Sequence, residues 1–469
     1  MTNSFFSTRS TRRTIAVAVM AGAFIPVACN EGKLLTAPTP DVVLPKDIAS
    51  KSALPSAFAA AVGDFQLAYG GGYGGGPPLL DLNEGLAQIT GLFSDELLNA
   101  ETFTSRIEID RRATTNINTT ALQIFQVAQR ARATADLVAA RYRELDPANP
   151  QRAEAQALAG FMYIMFAEDY CNGVPTSHVN DDGSFAYGAP QSGTQLLMTA
   201  IAKLDSAIAV ASAAGVDGSS ALNLARIGKG RALLDLGNFA DAAAAVAAVP
   251  STYEYDIQHS ETTGRQNNAF YTYNYLESRF TIADREGGNG LPFVTIDDPR
   301  ASVFRAGDEL GDQYVLGFDG STPLYFTSKY REYKSPIPLA IGAEARLIEA
   351  EAAYRAGNPG LMVQKLNQAR TEGGVAGLPA TLTDPGTKTA REDLLFRERA
   401  FWLFGRGYRV GDMRRLVRQY GRAANAVFPT GAWHKGGNYG TDVNFPVPQA
   451  EQNNPNVPGG QNACTDRNA

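Results

Sequence analysis

The chain has 469 residues, with 42 basic against 48 acidic side chains and a formal net charge of −6. That balance argues against a partner held through clustered phosphates, so no nucleic acid is expected. The three histidines (His178, His259, His434) lie far apart, and no zinc or nucleotide-binding signature occurs, so neither a metal nor a cofactor is expected.

Arg9, Arg12 and Arg13 precede an apolar stretch at 15–27. At about 13 residues it is too short to cross a bilayer core of roughly 30 Å as a helix. It ends in Pro26-Val27-Ala28-Cys29. Small residues followed at once by Cys read as a lipoprotein cleavage site: residues 1–28 are a signal peptide and Cys29 is the lipidated terminus. The competing reading is an ordinary signal peptide cut after Ala28. Residues 29–60 read as a lipidated tether and N-terminal segment, and 61–469 as a single helical domain.

Two cysteines then remain, Cys171 and Cys464. An exported protein meets an oxidising compartment, so a Cys171–Cys464 disulfide is expected. The alternative is a thiol at Cys171 buried behind the apolar helix that precedes it.

Apolar spacing predicts helices near 81–99, 117–145, 151–170, 192–214, 219–236, 239–248, 341–356, 360–371 and 391–420. Segments 172–190, 251–338 and 421–469 are rich in Gly, Pro, Asn and Tyr, and read as long loops with a few short strands. An internal repeat is present. Gly230, Leu233, Gly237, Phe239, Ala242, Val246 and Val249 fall at tetratricopeptide spacing, and Ala350, Ala353, Gly357-Asn358, Leu366 and Ala369 repeat it. Gly160 and Tyr163 start a further unit whose second helix is delayed by an insertion. The units lie near 151–214, 219–250 and 341–371, and the fold class is all-α, tetratricopeptide-like, with elaborated loops.

The order of short motifs then becomes specific. It runs from Cys29 through Phe93-Ser94-Asp95-Glu96 and the helix at 152–158 to Asn172-Gly173-Val174-Pro175. It continues with Arg346-Leu347-Ile348-Glu349-Ala350-Glu351-Ala352, Leu366-Asn367-Gln368-Ala369-Arg370, Glu398-Arg399, Arg409 and Asp412-Met413-Arg414-Arg415. Phe445-Pro446-Val447-Pro448-Gln449 and Asn454-Pro455-Asn456 close it. This series resembles the SusD/RagB family of nutrient-binding outer-membrane lipoproteins. The family often carries Glu four and eight positions after Glu398, where this chain has Trp402 and Arg406.

The resemblance implies a SusD-like fold. It implies a non-catalytic lipoprotein anchored by lipid in the outer membrane and facing the cell exterior. Such a protein binds an oligosaccharide, peptide or similar nutrient and delivers it to a TonB-dependent, SusC-like transporter. The alternative is a periplasmic tetratricopeptide lipoprotein that scaffolds envelope assembly.

Glu398, Arg399, Arg409, Asp412 and Arg415 read as structural ion pairs rather than chemistry; Arg409 and Asp412 are three apart and share a helix face. Asp95, Glu96 and Glu101 form an acidic group. Glu96 and Glu101 are five apart and do not face one another on a helix, so no catalytic residue is assigned. Ligand-binding candidates are the loop aromatics Tyr69 and Tyr73 of a Gly-rich stretch, with Tyr187, Trp433 and Tyr439. The alternating Tyr271, Tyr273 and Tyr275 fit one side of a strand, and His434-Lys435 fit a polar rim. Asn99, Phe103 and Arg106 join the candidates by their position just past the Ser-Asp-Glu segment.

Overall fold

Local cap chemistry explains where five of the described helices begin. In the computed structural model, which describes residues 44–73, 82–310, 315–457, 464, 467 and 468, Asn118 accepts from the backbone N–H of Ala121. Asn149 accepts from Gln151, with Pro150 at the first helical position. Ser192 and Gln195 form a reciprocal capping box. Asn358 caps on Leu361, and Thr387 on Ala390. Each supplies an acceptor to an N–H that the helix cannot satisfy itself. The expected signal peptide, the lipidation candidate Cys29 and most of the expected tether lie outside the described residues, as do residues 74–78 of the Gly-rich stretch.

Among the described residues there are twelve longer helices: α1 (Leu54–Gly70), α2 (Leu86–Phe93), α3 (Thr104–Asp110), α4 (Thr119–Leu145), α5 (Pro150–Asp169) and α6 (Gly193–Ala213), then α7 (Ser219–Asp235), α8 (Phe239–Val246), α9 (Gly342–Arg355), α10 (Pro359–Glu372), α11 (Lys388–Trp402) and α12 (Arg409–Tyr420). Shorter turns lie at Ala306–Leu310 and Ala424–Val427. Helices α5 to α10 pack each on the next, and α9 lies against α8 across the long insertion between them. Close approach depends on small residues. A Cβ on Gly230 of α7 would sit 2.5 Å from a methyl of Val246 on α8, and one on Gly160 of α5 would sit 2.8 Å from Leu204 on α6. The repeat spacing thus reports real helix contacts.

Three expectations are corrected. Residues 95–99 are not helical: the chain leaves α2 at Phe93 and enters β3 (Leu97–Asn99), which pairs antiparallel with β9 (Phe280–Ile282). The helix expected over 391–420 is two helices, because Gly405 and Gly407 hold φ of +69° and +79° in the turn between them, a region L side chains rarely adopt. Helix α1, which is missing from the expected helices, starts inside the N-terminal segment of 29–60 and packs on α4.

The described strands form two-stranded antiparallel pairs. They include β4 (Val174–Pro175) with β7 (Pro190–Gln191), and β5 (His178–Val179) with β6 (Phe185–Ala186). Val42–Ala469 forms one compact unit. Its core is continuous from Phe65 of α1 through Phe161 and Phe166 of α5 to Phe401 and the closing segment Phe445–Val447.

Buried ion pairs knit this core to the loops. Arg415, 1% exposed, grips both carboxylate oxygens of Glu351 and reaches Asp412 at 2.8 Å. Asp412 also receives Arg399 at 2.9 Å. Burial pushes the Asp412 carboxyl upward, but Arg399 and Arg415 outweigh it and hold it below the usual range. Glu398 is held by Arg300 and Arg370. Arg414 donates to the carbonyls of Ala167, Glu168 and Tyr170 at 2.9, 2.6 and 3.1 Å, capping the C-terminus of α5. Arg409 departs from expectation. It does not pair with Asp412 but bonds both oxygens of Asp95, at 2.6 and 2.9 Å, because the first turn of α12 abuts the end of α2.

The structure joins Cys171 to Cys464 in a disulfide, with Cα atoms 5.7 Å apart across 293 residues. The closing segment meets the same place: the Cys171 N–H donates to the Phe445 carbonyl at 2.9 Å.

Candidate functional site

The most distinctive exposed chemistry gathers where three loops meet. Phe103 precedes α3, Arg279 precedes β9, and Phe318 sits in a tight turn. That turn is built locally: Asp319 accepts from the backbone N–H of Ser321 and of Thr322, both at 2.8 Å. It is fixed to β3's end by Asp319 N–H donating to Ala100 O at 3.0 Å and to the approach of β9 by Phe318 N–H donating to Ser278 O at 2.9 Å.

The Arg279 guanidinium lies between the two phenylalanines, 5.1 Å from the Phe103 ring and 4.7 Å from the Phe318 ring. Both rings stay open to solvent, 50% and 56% exposed. Arg279 bonds Glu101 at 2.8 Å and also Glu277. Burial, the largest influence, lowers its proton affinity, yet Glu277 and Glu101 reverse this. Arg106 sits under the same surface, 5.4 Å from Phe103 and 4.9 Å from Tyr273, paired with Glu84 and Glu101. Tyr73, 37% exposed, packs edge-on against Tyr273 at 6.2 Å. Its hydroxyl hydrogen bond to Glu277 is the main cause of its raised pKa. The result is an aromatic shelf in which each arginine is held by two carboxylates, Arg106 by Glu84 and Glu101 and Arg279 by Glu101 and Glu277.

A cleft of about 710 Å³ adjoins the shelf, lined by Glu101, Asp284, Asp319, Thr322, His434 and Lys435 among others. Lys435 bonds Asp319 at 2.6 Å and Asn99 at 2.7 Å, and His434 meets the Asn99 carbonyl at 2.9 Å. Burial lowers the pKa of His434. Burial raises that of Asp319, but Lys435 and the turn's donors overcome it, so its pKa lies below the usual range. Asp284 accepts from the backbone of Val294 and Thr295 at 3.1 and 3.0 Å. Each carboxylate lining the cleft is thus held by a cation or by amides. Among the described residues no cluster of metal-ligating side chains occurs.

The sequence candidates divide. Phe103, Arg106 and Tyr73 come together at the shelf. Tyr69 is corrected: it is fully buried, its hydroxyl 3.0 Å from the carbonyl oxygens of both Pro338 and Arg406, either of which can accept its proton. Asn99 is buried as well, its side chain turned to Lys435 and the Glu101 N–H rather than outward. Trp433 is 6% exposed, with its indole N–H on Asp110 at 2.8 Å, so it forms a wall of the cleft and not a free platform. Tyr439 is likewise buried. Tyr187, 51% exposed, lies on a different loop, paired with Phe185. The tyrosine run is a π-helical turn over Tyr271–Leu276, not a strand. Its wider turn stacks Tyr271 on Tyr275 with centroids 5.3 Å apart. Sequence reasoning missed Arg279 and Phe318, which lie far from Phe103 in the chain. The Asp-Gly-Ser turn after Phe318 was the only local sign.

No family model matches the chain, and no curated protein matches it in sequence. Solved structures do match in fold. A SusD-like carbohydrate-binding protein from Bacteroides fragilis superposes with a TM-score of 0.62 at 16% identity, over 88% of this chain and 99% of that one. A laminarin-binding SusD-like protein gives 0.60 at 16% identity, over 86% and 98%. Surface glycan-binding protein A from Bacteroides uniformis gives 0.60 at 16% identity, over 89% and 100%. The mostly helical chain, with its short strand pairs and long loops, has the SusD-like fold.

Proposed function

We propose that this chain is a non-catalytic, lipid-anchored carbohydrate-binding protein of the outer-membrane surface that passes an oligosaccharide to a TonB-dependent, SusC-like barrel. The observation that carries the binding part is the shelf. Two exposed phenylalanines are locked on either side of Arg279, beside a cleft of paired charges. The faces of sugar rings expose C–H groups that suit aromatic surfaces, and their hydroxyls suit charge-assisted donors and acceptors. The carboxylates in the cleft are committed to cations or amides, which favours holding a ligand over transferring protons to it. The glycan-binding proteins that share the fold support the ligand class. The Cys29 motif supports the anchor and the resemblance supports the barrel partner.

The test is calorimetric titration of hexasaccharides (laminari-, malto-, xylo- and mannohexaose) into wild type and the F103A/F318A variant. Loss of a well-placed ring costs about 1.4 kcal/mol or more, roughly tenfold in affinity. The double variant is expected to lose about a hundredfold at the shelf. Turnover of a bound sugar would contradict the non-catalytic reading. Pull-down from solubilised outer membranes without a large barrel would contradict the transport reading.

A further inference from the structure

A second cleft, of about 680 Å³, lies between α4, α5, α6 and the β5–β6 hairpin, and shares no lining residue with the first. Three donors converge on Asp136 at its floor. Lys203 approaches at 2.5 Å, the Tyr163 hydroxyl at 3.0 Å and Arg132 at 3.3 Å. The cluster is not sealed: the Lys203 and Asp136 side chains are 27% and 21% exposed. Phe185 lines the rim and is 64% exposed; Tyr187, just outside the lining, is 51% exposed, the two ring centroids 6.3 Å apart and their planes 35° from parallel.

The rim is built. Asn454 donates to the Gly188 carbonyl at 2.9 Å, Asn456 donates to the Tyr187 carbonyl, and the Gly188 N–H donates to the Ser177 hydroxyl at 3.1 Å. A Cβ on Gly188 would fall 2.6 Å from the Thr176 backbone, so the loop is pressed onto β5's approach. Two adjacent rings are therefore held out in solvent over a polar floor, at an apolar hydration cost that folding does not require.

We propose that this cleft is a second site for a neutral oligosaccharide. The inference rests on the carbohydrate reading above. A free anion would meet Asp136, and a free cation would meet Lys203 and Arg132. A hydroxyl can accept a hydrogen bond from Lys203 and donate one to Asp136 at once. Phe185 and Tyr187 supply the flat faces for sugar rings, and the volume lies in the range of small-ligand sites.

The same four hexasaccharides, with hexagalacturonate as a charged control, are titrated into wild type, F103A/F318A, F185A/Y187A and the quadruple variant. All four altered side chains are exposed, and thermal midpoints are expected to stay with wild type. Two sites per chain are expected for wild type and one for each double variant. The quadruple variant is expected to lose at least tenfold more than F103A/F318A, and hexagalacturonate to bind at least tenfold more weakly. One site per chain that F185A/Y187A leaves within twofold of wild type overturns the second site while leaving the shelf standing. Binding lost in F185A/Y187A but kept in F103A/F318A overturns the shelf and supports this cleft. Tighter binding of hexagalacturonate at the cleft overturns the neutral class. A wild type that binds none of the five overturns both.

Discussion

Replacing Glu351 with leucine tests whether the arginine-rich C-terminal helices serve architecture or binding. Glu351 is fully buried and accepts two bonds from Arg415 and one from the Tyr420 hydroxyl at 2.6 Å. Removing its carboxylate leaves Arg415, 1% exposed, with only Asp412 and the more distant Asp235 at 3.5 Å. Breaking a buried pair from one side costs about 3–5 kcal/mol. Removing both partners, as in E351L/R415M, leaves Arg399 still on Asp412 and is expected to recover to within about 2 kcal/mol of wild type. With R415M costing as much as E351L, the coupling energy is then at least ~4 kcal/mol, well outside the scatter of independent sites. The assay is urea unfolding followed by fluorescence. With a slope of about 4 kcal/mol/M for a chain of this size, the E351L midpoint falls by roughly 1 M. Sugar affinity of the folded fraction is expected to stay unchanged. Additive single-variant costs, or a loss of affinity without a loss of stability, would refute the architectural reading.

Other consequences follow from particular contacts. G230L drives a side chain into Val246 and is expected to cost about 1–3 kcal/mol by overpacking two repeat helices; an unchanged unfolding midpoint would contradict the close approach. The folded chain, denatured without reductant, is expected to show no free thiol at Cys171 or Cys464, and thiol counting by mass spectrometry checks this. Glu96 is pushed up to about 8, first by burial and then by the Asp95 charge, so the folded chain keeps a proton that the unfolded chain releases above about 4.5. Its stabilising contribution is present at low pH and is lost as pH rises through that window, by up to ~1.4 kcal/mol per pH unit. E96Q is expected to flatten this decline, with its advantage in thermal midpoint widest at pH 9. Parallel curves for the two proteins would refute the assignment.

Much of the helical frame was legible because its signals are local. Asn118, Asn149, Ser192 and Thr387 stand at real caps, and Gly230 stands at a real helix contact. The split between α11 and α12 was written in Gly405 and Gly407, but the apolar period ran through them and masked it. Helix α1 was hidden by its neighbourhood: it follows a Pro-rich tether and ends in a Gly-rich stretch. The candidate binding surface was legible only in part. Phe103 and Tyr73 were reachable from position and composition. Arg279 and Phe318 were not, because what makes them a shelf is the meeting of loops nearly two hundred residues apart. Tyr69 and Trp433 misled for a plain reason: in a loop-rich sequence an aromatic that closes the core looks the same as one that faces solvent. The Arg409–Asp412 spacing misled similarly, since a helix face permits a pair but tertiary packing offered Arg409 the bidentate carboxylate of Asp95.

The measurement that bears most directly on the account is the affinity of F103A/F318A for whichever hexasaccharide wild type binds. A loss of about a hundredfold at one site, with the melting curve unchanged, is the predicted result. Wild-type affinity and stoichiometry in that variant would contradict the claim that the Phe103–Arg279–Phe318 shelf holds the ligand.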